Sequence, residues 1–272
     1  MLDLTFIHFS VVALCLILGL TVGSFLNVLI YRLPRHLNTP IQNSCRMKCK
    51  TMTFLQHLLK CLMVRSICPH CKHQLAAWEN IPLFSYWLLD GSCHACHASI
   101  SRRYPLVEAL TAITFALSAW RFGWSDKTLF ACVLMAFLIT LSAIDWEFQL
   151  LPDVLTLPLL ALGLVINQFE VFVDLPMAFF GAILGYIMLY ASNALFYQVR
   201  GKVGMGGGDL KLTAALGAWL GIYALPKLIL IAALLHLGTA LVRRWYGERV
   251  WQQRLPFGPW LSGAGIWLIL TL

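Results

Sequence analysis

The chain has 272 residues, of which 60% are hydrophobic and 12% charged, with a mean hydropathy of +0.76 and a formal net charge of +8. A soluble domain carries about 25% charged residues, so this composition excludes an ordinary water-soluble enzyme. The positive charge calls for no nucleic-acid partner, because basic loops facing anionic lipid account for it.

Phe6–Ile30 contains no Asp, Glu, Lys or Arg and meets the requirement of about 20 apolar residues, or roughly 17 at least, for crossing a bilayer. Its apolar core is too long for a cleavable signal and no basic segment precedes it, so it reads as a retained span. Residues 31–104 follow as a basic loop with ten Lys/Arg and seven of the nine cysteines. Pro105–Trp120, charged only at Glu108, is the second span. Thr128–Ile144, Val154–Phe169, Leu175–Val199, Leu212–Pro226, Leu228–Val242 and Leu255–Leu272 are uncharged and complete a set of about eight. Val154–Phe169, Leu212–Pro226 and Leu228–Val242 are short, and Leu212–Pro226 also fits a re-entrant segment. The expected fold is therefore an all-α polytopic membrane protein. Its parts are a first transmembrane helix (1–31), a cytoplasmic loop domain (32–104) and a larger membrane domain (105–272).

Orientation follows from the basic residues. With the N-terminus outside, the inner loops 31–104, 145–153, 199–211 and 243–254 hold ten, none, three and four Lys/Arg, which is 17 of the 20. The loop domain is then cytoplasmic and both termini are periplasmic. Asp145 ends the third span and Asp209 begins the sixth, on one membrane face. Asp209 follows the run Gly206-Gly207-Gly208, and glycines let another backbone approach closely. Asp209 alone reads equally well as a helix cap, and Asp145 alone as an interfacial acid beside Glu147 and Asp153. Together they suggest chemistry, because ionisable groups near the bilayer interior are usually functional. Two close carboxylates share one proton, so one can activate water while the other donates to the carbonyl under attack.

The cysteines point to metal. Cys68-x2-Cys71 and Cys93-x2-Cys96 are separated by 21 residues, just beyond the ~15–20 of paired zinc knuckles. Four thiolates close a tetrahedral structural site, and a reducing cytosol disfavours the competing disulfides. His70, His73, His94 and His97 flank the knuckles and are candidate substitutes. Cys45, Cys49 and Cys61 read as free thiols or spare ligands, and Cys15 and Cys132 as small apolar residues within spans. Glu108 has two readings, an ion pair with Arg102 or Arg103 or a contact with substrate. His8 and His236 lie in spans without an assigned role.

These segments resemble one family. "GSFLNVLIYRLPR" (Gly23–Arg35), "CPHCKHQLAAWENIPLFSYWLLDGSCHACHASISRRYPLVE" (Cys68–Glu108), "DWEFQLLPDVLTLPLL" (Asp145–Leu160), "GMGGGDLKLTAALGAWLG" (Gly204–Gly221) and "LPFGPWLSGAG" (Leu255–Gly265) follow in order the segments of the type IV prepilin peptidases. These are membrane aspartic proteases of the Gly-x-Gly-Asp type. The resemblance implies cleavage of a short basic leader, after a glycine, from prepilins and secretion pseudopilins at the cytoplasmic face of the bacterial inner membrane. It places the catalytic pair on Asp145 and Asp209, with Gly206, Gly208 and Lys211 completing the signature. It also implies N-methylation of the new terminus with S-adenosylmethionine as donor, a structural Zn2+ in the loop, and membrane lipids and helical pilin precursors as partners. Segment 37–65 carries no motif that is matched to the family here. Lys211 lies two residues from Asp209, and such neighbours do not face each other on a helix, so it is expected to meet lipid phosphate or Asp145. An ion-coupled carrier, with the two acids at the ends of broken helices, is the competing reading.

Overall fold

Each apolar run predicted to span becomes a helix. The computed structural model describes residues 2–38, 67–68, 70–74, 76–201, 204–247 and 255–271; Cys45, Cys49 and Cys61 lie outside the described residues. The helices are α1 (Leu2–Asn38), α2 (Phe84–Leu88), α3 (Arg103–Phe122), α4 (Asp126–Phe148), α5 (Asp153–Asn167), α6 (Leu175–Arg200), α7 (Gly207–Leu220), α8 (Leu225–Trp245) and α9 (Gly258–Thr271). Among the described residues there are no strands, only the isolated bridges Ile67–Gln74 and Ser92–Ser99. His8–Arg35, Asp126–Phe148, Leu175–Arg200 and Ile222–Trp245 are long and apolar enough to cross a membrane. The protein is therefore a membrane protein with an all-helical fold.

The chain divides into two units, Met1–Gly123 and Trp124–Leu272. In the first, α1 packs along α3 through two small residues one helical turn apart. A Cβ at Gly19 would lie 2.6 Å from Ala112 Cα, and one at Gly23 2.7 Å from Glu108 Cα. This is the small-residue packing that lets membrane helices approach where no hydrophobic force drives them together. Buried Asn27 donates from Nδ2 to the Tyr104 carbonyl at 3.0 Å, tying the same ends of α1 and α3.

In the second unit α7 is the central helix, and nearly every residue from Asp209 to Leu220 is buried. Its 14 residues rise only about 21 Å, less than a hydrocarbon core of about 30 Å. Protein rather than lipid surrounds it, so its length need not match the bilayer. It also begins five residues before the uncharged run Leu212–Pro226, and it stops at Gly221, whose φ of +77° ends the helix. On one side, Gly181 and Gly185 of α6 lie against the backbone of Gly217 and Thr213. On another, the indole of fully buried Trp219 fills the notch at Gly163 of α5 and donates to the Leu159 carbonyl at 2.8 Å. Asn167, at the end of α5, donates to the Ala218 carbonyl at 2.7 Å and accepts from Phe172 and Val173. These bonds satisfy helix-end groups that would otherwise be buried unpaired.

Candidate active site and metal centre

Asp145 sits in the last turn of α4, where Gln149 takes the left-handed conformation (φ +51°) and bonds back to the Asp145 carbonyl at 2.9 Å. Its side chain is 6% exposed as a residue. Oδ2 accepts from the N–H of Gly258, the first residue of α9, at 3.0 Å. Asp209 is the third residue of α7 and is 8% exposed. Gly206, just before that helix, lies beside its carboxylate, with Oδ2 3.7 Å from where a Gly206 Cβ would stand. Each acid thus lies at a helix N-terminus, α9 for Asp145 and α7 for Asp209. Unpaired N–H groups and the helix dipole favour negative charge there.

A shared register brings the two acids together. Gly265 lies seven residues after Gly258 on α9. A Cβ there would stand 2.7 Å from Leu216 on α7 and 3.3 Å from Leu138 on α4. Leu138 precedes Asp145 by seven residues and Leu216 follows Asp209 by seven, about two turns or 10.5 Å on each helix. The glycine-bearing face of α9 therefore lies between α4 and α7 and levels both carboxylates, and the charge of Asp145 acts on Asp209. Two buried acids within electrostatic reach can polarise a water and a carbonyl between them.

The glycines divide their work differently from the sequence reading. Gly208 is not open to an incoming chain, since a Cβ there would lie 2.6 Å from Leu151 Cβ. Gly206 faces the Asp209 carboxylate, 3.7 Å from where its Cβ would be, and Gly207 alone of the three has nothing within 4 Å. Lys211 also differs from expectation. Its Nζ meets Asp153 Oδ1 at 2.6 Å at the start of α5, rather than lipid phosphate or Asp145. Two residues, just over half a helical turn, carry the lysine away from the acid near it and toward the neighbouring helix.

Asn193 on α6 has no counterpart in the sequence reading. Its Oδ1 accepts from Gly204 at 3.0 Å and Met205 at 3.1 Å, and Nδ2 donates to the Met205 carbonyl at 3.4 Å. It fixes the backbone that leads into Gly206 and Asp209. Its only sequence signal is an amide, one of two with Gln198, in an uncharged span. Replacing Asn193 with Ala should lower turnover about tenfold while leaving the fold in place, because the loop loses its orientation and not its acids. Initial rates alongside circular dichroism check this.

The four knuckle cysteines converge, with all four Sγ atoms within 4.8 Å of one another. Cys68 and Cys96 are 3.8 Å apart and Cys71 and Cys93 4.0 Å. A tetrahedron with metal–sulfur bonds of about 2.3 Å has edges of about 3.8 Å, so the set fits a metal of that kind. The two knuckles share one backbone plan. Cys68 N–H bonds to His73 and Lys72 N–H to Cys68; Cys93 N–H bonds to Ala98 and His97 N–H to Cys93. Lys72 and His97, each following its second cysteine, take positive φ to close the loop. The backbone N–H of Cys71, and less strongly that of His70, lowers the Cys68 thiol to about 7. At Cys96 the Ala98 N–H favours the thiolate, but burial and the sulfurs of Cys71, Cys93 and Cys68 push it up to about 12. Such a cluster keeps protons on some sulfurs until a cation takes their place.

The flanking histidines are not in the cluster. His73 Nε2 lies 3.3 Å from Glu79 Oε2 and His94 Nδ1 4.0 Å from Glu79 Oε1, so one buried carboxylate reaches both knuckles. Glu108 is also buried. Its Oε2 accepts from the N–H of Leu83 at 2.8 Å. His8 stacks edgewise on Trp120, and His236 on Phe257, the residue before Gly258.

Residues 17–122 match the bacterial peptidase A24 N-terminal domain and residues 132–241 the type IV leader peptidase family. A prepilin leader peptidase/N-methyltransferase of Neisseria gonorrhoeae is 45% identical, over 99% of this chain and 93% of its own length. Proteins of the same description from Stutzerimonas stutzeri (45%, 94% of this chain and 88% of theirs) and Pseudomonas aeruginosa (42%, 99% and 93%) are similar throughout. No solved structure matches.

Proposed function

This chain belongs to the type IV leader peptidase family, and we propose that it removes the short basic leader from type IV prepilins or secretion pseudopilins, cutting after a glycine at the cytoplasmic face of the inner membrane. The observation that carries this reading is the pair of buried acids, Asp145 and Asp209, within electrostatic reach at adjoining helix N-termini. They work with one proton between them. The ionised carboxylate takes a proton from water as its oxygen attacks the carbonyl carbon, and the neutral one protonates the carbonyl oxygen. Transfer of a proton to the amide nitrogen then releases the mature chain. Gly207, with open space beside it, is where the extended leader passes, and Gly206, Gly208 and Lys211 hold the acid in position.

In this reading residues 32–104 form the cytoplasmic loop domain, the 105–272 part carries catalysis, and eight spans leave both termini in the periplasm. The bound cation is Zn2+, held by Cys68, Cys71, Cys93 and Cys96, where it supplies folding energy rather than chemistry. Purified protein is expected to hold about one zinc per chain, and replacing any of the four with Ser should release the metal and destabilise the loop. Elemental analysis checks this, and metal-free protein prepared without chelator would contradict it. The family's second activity, methylation of the new amino terminus, uses S-adenosylmethionine. Among the described residues no glycine-rich nucleotide loop fits that donor, so no residue is assigned to it.

Incubating the purified protein in lipid with a prepilin-like peptide tests the reading. One cut after the leader's glycine supports it; ion or solute movement without cleavage would favour a carrier.

A further inference from the structure

The loop domain carries an apolar face that membrane spans do not explain. In α2, Phe84, Trp87 and Leu88 are 57%, 85% and 59% exposed, and their spacing of three and four residues puts them on one side of the helix. Trp78 and Ile81 in the turn before it are exposed as well. No residue of α2 is buried.

The depth of this face is fixed by a hydrogen bond. Leu83, immediately before α2, donates its N–H to Glu108 Oε2 at 2.8 Å. Glu108 is buried on α3 where Gly23 of α1 packs, five residues beyond Arg103, or about 7.5 Å farther along the helix. Arg32 and Arg35 on α1 and Arg102 and Arg103 at the start of α3 mark the headgroup level, where such side chains settle. Leu83 bonds the tip of the Glu108 side chain, which on a helix tilts back toward the N-terminus, so the backbone entering α2 is held at the headgroup level. The loop's ten Lys/Arg supply attraction to anionic headgroups.

We propose that α2 and the turn before it are a membrane-interface anchor: Phe84, Trp87 and Leu88 insert among the headgroups and upper acyl chains of anionic phospholipid, pinned at that depth by Glu108. Tryptophan favours this zone, where an apolar ring and a polar N–H are both accommodated. The anchor holds the metal-bearing knuckles, which flank it on both sides in sequence, against the bilayer. The inference requires only that α1 and α3 cross the membrane, and it stands whether or not the chain is a peptidase.

Photocrosslinking tests it in the full-length protein. The substitutions Trp87→p-benzoylphenylalanine and, as control at an exposed polar position, Gln74→p-benzoylphenylalanine are reconstituted in vesicles of phosphatidylethanolamine and phosphatidylglycerol. The residue-87 probe is expected to give at least about fivefold more phospholipid adduct by mass spectrometry than the residue-74 probe, as interfacial burial of an aromatic requires. Adding Glu108→Gln, whose amide oxygen still accepts from Leu83, should preserve the adduct. Equal yields at the two positions, or crosslinking of residue 87 to an added prepilin peptide in place of lipid, would overturn the proposal.

Discussion

Replacing Asp145 or Asp209 with Asn is expected to lower cleavage by roughly four orders of magnitude, the scale on which single members of a catalytic unit fail. Asn keeps the shape of Asp, and at position 145 its oxygen can still accept from Gly258. The fold and the membrane insertion should therefore survive. What disappears is the ability to take a proton from water or to hold the shared one. Lys211→Ala should behave differently, because its partner Asp153 is half exposed. Such a pair is worth about 0–1 kcal/mol, so a loss of at most about fivefold is expected. Initial rates in lipid, beside thermal unfolding of each variant, separate the two cases.

The second large effect involves a residue with no side chain. Gly258 donates its N–H to Asp145, and a Cβ added there would stand 2.7 Å from Oδ2 and 3.1 Å from Cγ. Backbone and buried carboxylate cannot both stay, so Gly258→Ala is expected to displace the acid and cut turnover about a hundredfold, the usual consequence of a 1 Å misplacement. Gly263, farther along α9, has nothing within 4 Å of its Cβ position, and Gly263→Ala should leave activity within about twofold, a surface change of ordinary size. Comparing kcat for the two alanine variants checks this. Similar rates for both would remove Gly258 from the site.

Much of this arrangement is written in the sequence, and the parts that are not share a cause. Runs with no charge, or with Glu108 alone in α3, mark α1 and α3 to α9 because lipid and a buried helix both exclude charge. The start of α7 is hidden because Asp209 and Lys211 interrupt its apolar pattern while its glycines suppress any period. Helix α2 is invisible for another reason, since five residues are too few to show a repeat. The two acids are legible as candidates from the distribution of Lys and Arg, and the four cysteines from their spacing. Gly258 and Asn193 are not, because one contributes a backbone N–H and the other an amide reaching 11 and 12 residues along the chain. Neither leaves a local pattern. The Lys211–Asp153 pair and the Glu108–Leu83 bond likewise depend on how helices and loops pack. The role of Gly208 follows from that packing too: Leu151 occupies the space that the sequence alone leaves open for substrate.

Whether Asp145 and Asp209 act as one unit is read by comparing the two single Asn variants with the double variant. Under single-turnover conditions, with enzyme in excess over a fluorescent prepilin-like peptide and reaction times long enough to read residual rates, the double variant should be no slower than the slower single one. Groups that share a step lose everything when the first is removed. Losses that multiply, or one Asn variant cleaving at near the original rate, would contradict the account and make Asp153 the next acid to test.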